Sequence, residues 1–337
     1  MSPPASRSVP DDRPSRPRTA PVRPEDRPDL DGLRAVAVGL VILTHAKWPW
    51  VNNGGDAGVT AFFVLSGFLI TTILVSQQER TGRIDIVAFY RRRIIRLAPA
   101  LLGLLGFTLV LGVAIGWATQ WQVGIASCLV YVSNWVQVAN VNIDPLGHTW
   151  SLAIEEQFYL VWPAVLILAR GRVLQIAIAG IVAASVLRLV ADGPLEYFST
   201  ITRADAILVG CVVALLRPRW PSSVAVGGVV GLVVVALVNP VHDIAIPAAM
   251  VATAAVIAGR FEPLGVLAPL GLRAYSLYLW NWPMTLLFGS IGVLAPVLTV
   301  LVAEISYRLL EAPVLRRGSR RTAAPKVERG VPAEATP

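Results

Sequence analysis

The sequence predicts an all-α protein that crosses a membrane many times, and three observations carry that prediction. Over 337 residues, 55% are hydrophobic and only 15% charged, with mean hydropathy +0.63, far from the soluble balance. Apolar stretches of helix length recur from residue 33 to residue 309. The remaining charges gather in the tails and in short connections, so the net charge of +8 reads as orientation of membrane helices rather than as a nucleic-acid surface.

Residues 1–28 are rich in proline, arginine and aspartate and hold no apolar run, so a disordered cytoplasmic tail is expected there. No apolar core follows a basic start, which argues against a signal peptide and makes the first helix an expected uncleaved anchor. Candidate helices follow near 33–48, 59–76, 97–117, 123–139, 151–169, 173–191, 204–216, 222–239, 244–258, 268–289 and 291–309. Several are shorter than the ~20 residues a clean span prefers. The tail before the first helix and the stretch Arg316 to Arg321 are both basic, so both ends are expected in the cytoplasm. An odd number of crossings cannot achieve that. The segment 123–139 contains Ser133, Asn134 and Trp135 and runs into the polar NVNIDPLGHT. Read as re-entrant or interfacial, it puts the basic turns at Arg170/Arg172, Arg217/Arg219 and Arg260 inside. The expectation is therefore ten spans plus this one segment, with a membrane domain at 29–315 and a second disordered cytoplasmic tail at 316–337.

Within the first helix, Leu30 to His45, eleven positions separate Arg34 from His45. That is roughly 20° beyond three turns, so both lie on one face, ~16 Å apart along the axis. An intramembrane histidine normally faces the bundle interior or a wet cavity. A structural alternative is a histidine bonded between helices with arginine as an interfacial anchor. The second helix, GVTAFFVLSGFLI, sets Ser66 and Gly67 in a bulky run, where small residues let helices approach. Ser66 as a nucleophile would need a base within reach. FYRRRIIRLAP carries Arg91, Arg92, Arg93 and Arg96, which mark topology and touch anionic lipid, or hold a phosphorylated ligand through their bidentate forks.

LGHTWSLAIEEQFYLVWP places Ser151 ahead of Glu155 and Glu156 like a helix start with acids in its first turn. Adjacent glutamates cannot share a face, so at least one points into the bundle and needs a partner, expected to be Arg34 or Arg203. TRADAILVG sets Arg203 and Asp205 at the outer start of a helix, and AYSLYLWNWP loads another with aromatic and polar groups. Cys128 and Cys211 sit in apolar runs as packing residues, and His45, His148 and His242 show no zinc-like spacing. No metal is expected.

Taken together, LDGLR with a histidine eleven residues on, FFVLSGFLI, FYRRRIIRLAP, HTWSLAIEEQFYLVWP, R-x-D, YSLYLWNWP and the terminal LLEAP resemble the acyltransferase-3 family across about residues 29–315. Those are integral-membrane O-acyltransferases acting on sugars, glycans, glycolipids and some glycosylated natural products. The chain ends soon after the last apolar segment, so it is expected to lack the extracytoplasmic hydrolase-like domain that some members append. The resemblance implies acyl-CoA, acetyl-CoA foremost, as donor substrate. Arg34 and His45 match the family's arginine–histidine pair, with His45 as general base. Arg91, Arg92, Arg93 and Arg96 match the basic loop associated with acyl-CoA, with Ser66 nearby, and Glu155 or Glu156 matches the acidic position. Trp150, Ser151, Tyr159, Arg203, Asp205, Tyr275 and Asn281 become expected contacts for a carbohydrate or glycosylated acceptor. The chain departs from the pattern twice, with Asn281 where many members have histidine and Thr60 where many have aspartate. A secondary transporter would show internal repeats with interrupted helices, and none is evident. A non-catalytic membrane scaffold would tolerate loss of His45.

Overall fold

The computed structural model describes residues 27–51, 53–116, 118–169, 171–238 and 241–315. The tails expected at 1–28 and 316–337 lie outside the described residues, Arg27 and Pro28 excepted, as does Arg170. Among the described residues every regular element is a helix, and all eleven apolar segments are helical. Helix α1 (Pro28–His45) is followed by α2 (Gly54–Thr81) and α3 (Ile86–Ala114). The connection between α2 and α3 is short because each end is chemically capped. Gly82, at φ +72°, closes α2 with its N–H on the Gln78 carbonyl, and the Asp85 carboxylate accepts from the Ala88 N–H to open α3.

The segment 123–139 is no single rod. It forms α4 (Ala118–Leu129) and α5 (Ser133–Val138), broken at Tyr131, whose φ is +54°. A 3-10 turn, Gly147–Thr149, then leads into α6 (Trp150–Leu168). Next come α7 (Val173–Val190), the short α8 (Pro194–Phe198), α9 (Thr200–Leu216), α10 (Ser222–Val238) and α11 (His242–Gly259). After a 3-10 stretch at Glu262–Leu267 the chain finishes with α12 (Ala268–Gly271), α13 (Ala274–Phe288) and α14 (Leu294–Ser306), which passes into a π-helical turn at Tyr307–Glu311.

Among the described residues six stretches are long and apolar enough to cross a membrane, namely α2, α3, Gly147–Leu168, α7, Pro194–Leu216 and α11. Helix α10 is apolar but shorter, α13 has 15 residues and α14 has 13, and α1 carries Asp29, Asp31 and Arg34 in its 18 residues. Length and composition alone thus pick out fewer helices than the ten expected.

Helix α2 is the hub, packed against α1, α6, α9 and α11. Its approach to α9 is backbone on backbone. A Cβ on Gly67 would stand 1.8 Å from the Ile207 carbonyl oxygen, and one on Gly210 would stand 1.9 Å from that of Val64. Small residues at a crossing are how membrane helices gain van der Waals contact without a hydrophobic driving force. The contacts also fix direction. Phe63 meets Trp150 at one level and Thr71 accepts from the Trp162 indole at 2.9 Å farther along, so α2 and α6 run parallel. Arg203 of α9 reaches Thr60, and Arg217, just past the end of α9, meets Glu79, so α9 also runs parallel to α2.

Candidate active site

The start of α1 is clamped before its charged side chains come into play. A Cβ on Gly32 would lie 1.8 Å from the Leu264 carbonyl oxygen, and one on Gly271 would lie 1.8 Å from that of Asp31. The stretch from Glu262 to Gly271 therefore rests directly on the first turn of α1. There Asp31 accepts a hydrogen bond from Arg34, three residues on. Arg96 of α3 comes within electrostatic reach of Arg34, Arg93 and Asp31, so the first helix contributes its arginine to the cluster that α3 carries. Arg91 and Arg92 are exposed.

Arg93 donates to Glu156 at 2.5 Å and lays its guanidinium 3.5 Å above the Tyr159 ring. The Tyr159 hydroxyl points to Glu155 at 3.4 Å, with Ser66 of α2 beside that carboxylate. This corrects the expected partner of the glutamates, which is Arg93 and neither Arg34 nor Arg203. Tyr90 hydrogen-bonds the Tyr159 and Leu160 carbonyls at 3.2 and 3.1 Å, and that contact brings residue 93 level with residue 156. Arg34 is meanwhile occupied by Asp31, and Arg203 lies by Thr60, nearly two turns from Ser66 along α2.

At the far end of α1, His45 bonds through Nδ1 to the Asn281 side-chain oxygen, with the Trp282 ring at 4.7 Å. An amide oxygen only accepts, so the proton sits on Nδ1 and the Nε2 lone pair is the one left for chemistry. Asn281 thus orients His45. The Trp282 indole donates to Asp144 at 2.8 Å, and Gln137 donates to the Gly147 carbonyl at 2.7 Å, fastening the polar 139–149 connection over this end of α13.

One turn back on α13, the Tyr278 hydroxyl donates to the His148 carbonyl at 2.8 Å and so accepts from Ser151, 2.5 Å away. Ser151 is therefore a cross-link rather than a cap, and α6 opens at Trp150 with no side-chain cap, leaving Glu155 and Glu156 in its second turn. His148 is buried beside the Tyr278 ring and within electrostatic reach of His45. Tyr275 hydrogen-bonds the Leu97 carbonyl at 3.2 Å, tying α13 to α3. Asp205 is drawn away from Arg203, since its carboxylate takes Arg188 at 3.0 Å and Ser185 at 3.1 Å and holds α7 to α9. Trp150 packs on Phe63 and Tyr197. Cys128 and Cys211 are buried free thiols.

Sequence reasoning missed Asp31, His148, Tyr278 and the buried Glu311, whose carboxylate takes the Ser276 hydroxyl and faces Arg96. Asp31 was findable from its i, i+3 spacing to Arg34, and Tyr278 from its place one turn before Asn281. His148 and Glu311 acquire their neighbours only by folding. Among the described residues no group of three or more histidine, cysteine, aspartate or glutamate side chains is placed to hold a metal ion.

A family profile described as an acyltransferase domain matches residues 27–306, taking in α1 through α14. The chain belongs to the acyltransferase-3 family. It is similar to the O-acetyltransferase OatA of Staphylococcus aureus strain NCTC 8325, 32% identical over 88% of this chain and 58% of the relative. OatA of strain MW2 matches with the same identity and coverage. The chain thus spans 58% of the length of these curated relatives. No solved structure matches. With six apolar helices long enough to span among the described residues and this family membership, the protein is a multi-pass protein of the cell membrane.

Proposed function

We propose that the protein is a membrane O-acyltransferase that moves an acyl group, acetyl foremost, from acyl-CoA to a hydroxyl of a sugar, glycan, glycolipid or glycosylated natural product. The observation that carries this reading is the His45–Asn281 hydrogen bond, which leaves one imidazole nitrogen aimed at chemistry on the helix that also supplies Arg34. A neutral histidine is suited to accept a proton near neutral pH. In this reading residues 29–315 form the membrane acyltransferase domain and both tails are cytoplasmic.

For topology we propose ten crossings with both termini in the cytoplasm. Supporting this is the parallel run of α2 and α6. With α3 crossing once between them, the intervening α4, α5 and polar connection must return without a net crossing. The arginine cluster then lies toward the cytoplasm and His45 toward the outer half.

In this reading the donor arrives where Arg34, Arg91, Arg92, Arg93 and Arg96 can grip phosphate oxygens through bidentate, charge-assisted bonds. Glu155 and Glu156 keep Arg93 in place until it is needed, and Ser66 lies along the route. His45 takes the proton of the acceptor hydroxyl as that oxygen bonds the acyl carbon and the C–S bond breaks, and the imidazolium then returns that proton to the leaving thiolate. Asn281, and Ser151 through Tyr278, shape the space around His45, Trp150 lies toward Tyr197, and Tyr159 and Tyr275 stand on the arginine side. Asp205 serves that space only by anchoring α9.

The test is transfer from radiolabelled acetyl-CoA in membranes holding equal amounts of protein. General-base catalysis is worth ~10²–10⁴-fold, so His45→Ala should lose turnover to that extent while still binding acetyl-CoA. Near wild-type transfer by the variant overturns the mechanism, and uptake of labelled solute in place of transfer indicates a transporter.

A further inference from the structure

A second buried cation lies outside this reaction scheme. Arg203, in the first turns of α9, is fully enclosed, at 0% exposure. Its Nε and Nη1 have no hydrogen-bond partner, and Nη2 reaches only the Thr60 hydroxyl at a long 3.5 Å. Around the guanidinium carbon stand the rings of Phe63 and Trp150 at 5.8 Å and of Tyr197 at 5.5 Å. Rings stabilise a cation through their faces but accept no N–H bonds in the way an oxygen does. The nearby carboxylate, Asp56, is committed elsewhere. One of its oxygens accepts the Tyr197 hydroxyl at 2.9 Å and the other meets His242 at 2.7 Å.

Other buried arginines in this bundle are matched by a carboxylate. Arg188 has Asp205 at 3.0 Å, and Arg27 has Asp29 at 2.6 Å. An unmatched buried guanidinium is expensive to maintain, and its planar fork is shaped for a two-oxygen acceptor. His242 is half exposed, at 52% of its side chain, so the Asp56–His242 pair stands between Arg203 and the end of the bundle. An aromatic wall, an idle guanidinium and a carboxylate together suit a sugar ring that bears an acidic group.

We propose that Arg203 binds an oxyanion, a carboxylate or a phosphate, carried by the acyl acceptor, which enters past the Asp56–His242 pair. The proposal rests on the acyltransferase reading for the identity of the ligand as acceptor. Oxyanion binding at Arg203 stands independently of it.

The test uses the full-length protein in detergent micelles, with tryptophan fluorescence as readout because the Trp150 ring lies 5.8 Å from the Arg203 guanidinium. At constant ionic strength the protein is titrated with glucuronate, glucose 6-phosphate and glucose. One or both acidic sugars should give a saturable change and glucose none, and the stronger of the two identifies carboxylate or phosphate. Arg203→Gln should weaken that binding at least tenfold while acetyl-CoA still binds at the arginine cluster. Arg203→Lys, which keeps the charge and loses the fork, should weaken it several-fold. His242→Ala, which removes the cover, should speed association. No saturable response in the wild type and in His242→Ala, or equal affinities in wild type and the Arg203 variants, overturns the proposal. Should Arg203→Gln not be recovered, Arg203→Lys and His242→Ala decide alone. If acidic sugars bind as expected and acetyl-CoA never donates, the acyltransferase reading fails and the Arg203 site stands.

Discussion

His45 and Arg34 share one helix face yet work in different company. His45 is turned toward α13, where Asn281 sets its tautomer, while Arg34 is turned toward Asp31 and the arginines of α3. Asn281→Leu should therefore lower kcat with little change in the KM for donor, because it frees the ring to rotate and to carry its proton on either nitrogen. Equal loss in kcat and donor binding would point to a general collapse of the site. Arg34→Lys separates anchoring from recognition. A lysine can snorkel to an interface as well as an arginine, but a point charge lacks the fork. Loss of transfer with normal membrane abundance is the expected result, and retained activity would mark Arg34 as an anchor. The eleven-residue spacing was legible because helix geometry is local. The Asp31 partner of Arg34 is local as well, but Asn281, 236 positions from His45, and the arginines of α3 were not legible.

At the scale of elements, α2 and α9 touch through glycine, and α3 presents arginines of two kinds. Gly67→Ala pushes a methyl onto the Ile207 carbonyl, a backbone atom that cannot step aside. Overpacking of this sort typically destabilises by ~1–3 kcal/mol, seen as a lower melting temperature in detergent. An unchanged melting temperature would mean the helices part easily. On α3, Arg92 is exposed and Arg93 is tied to Glu156 and Tyr159. Arg92→Ala should raise the KM for acetyl-CoA and leave kcat nearly intact. Arg93→Ala should do more, because removing it strands Glu156 as a partly buried carboxylate. Identical kinetics for the two variants would refute this division. The basic run was plain in the sequence, but which arginine faces inward depends on how Tyr90 seats α3 on α6.

For the whole molecule, the prediction concerns which side each connection faces. Single cysteines at Asp85 and Gly171 should react only with reagents admitted to the cytoplasm, and one at Leu195 should react from outside. Labelling of position 171 from outside would require 118–149 to cross the membrane, against the parallel run of α2 and α6. The kink at Tyr131 is the local reason the segment does not extend into one spanning rod.

The sequence by itself determined the class, the eleven helical segments and the polar break after 123–139, because hydropathy, helix period and charge placement are properties of neighbours along the chain. It also located the arginine–histidine helix and the basic run of α3. Only the tertiary structure decided that Arg93 pairs with Glu156, that Asp205 anchors α7 to α9, that Asn281 holds His45, and that no carboxylate hydrogen-bonds Arg203. Each of these depends on the depth at which one helix passes another. That depth is set by the close backbone contacts at Gly32, Gly67, Gly210 and Gly271, whose partners no local pattern names.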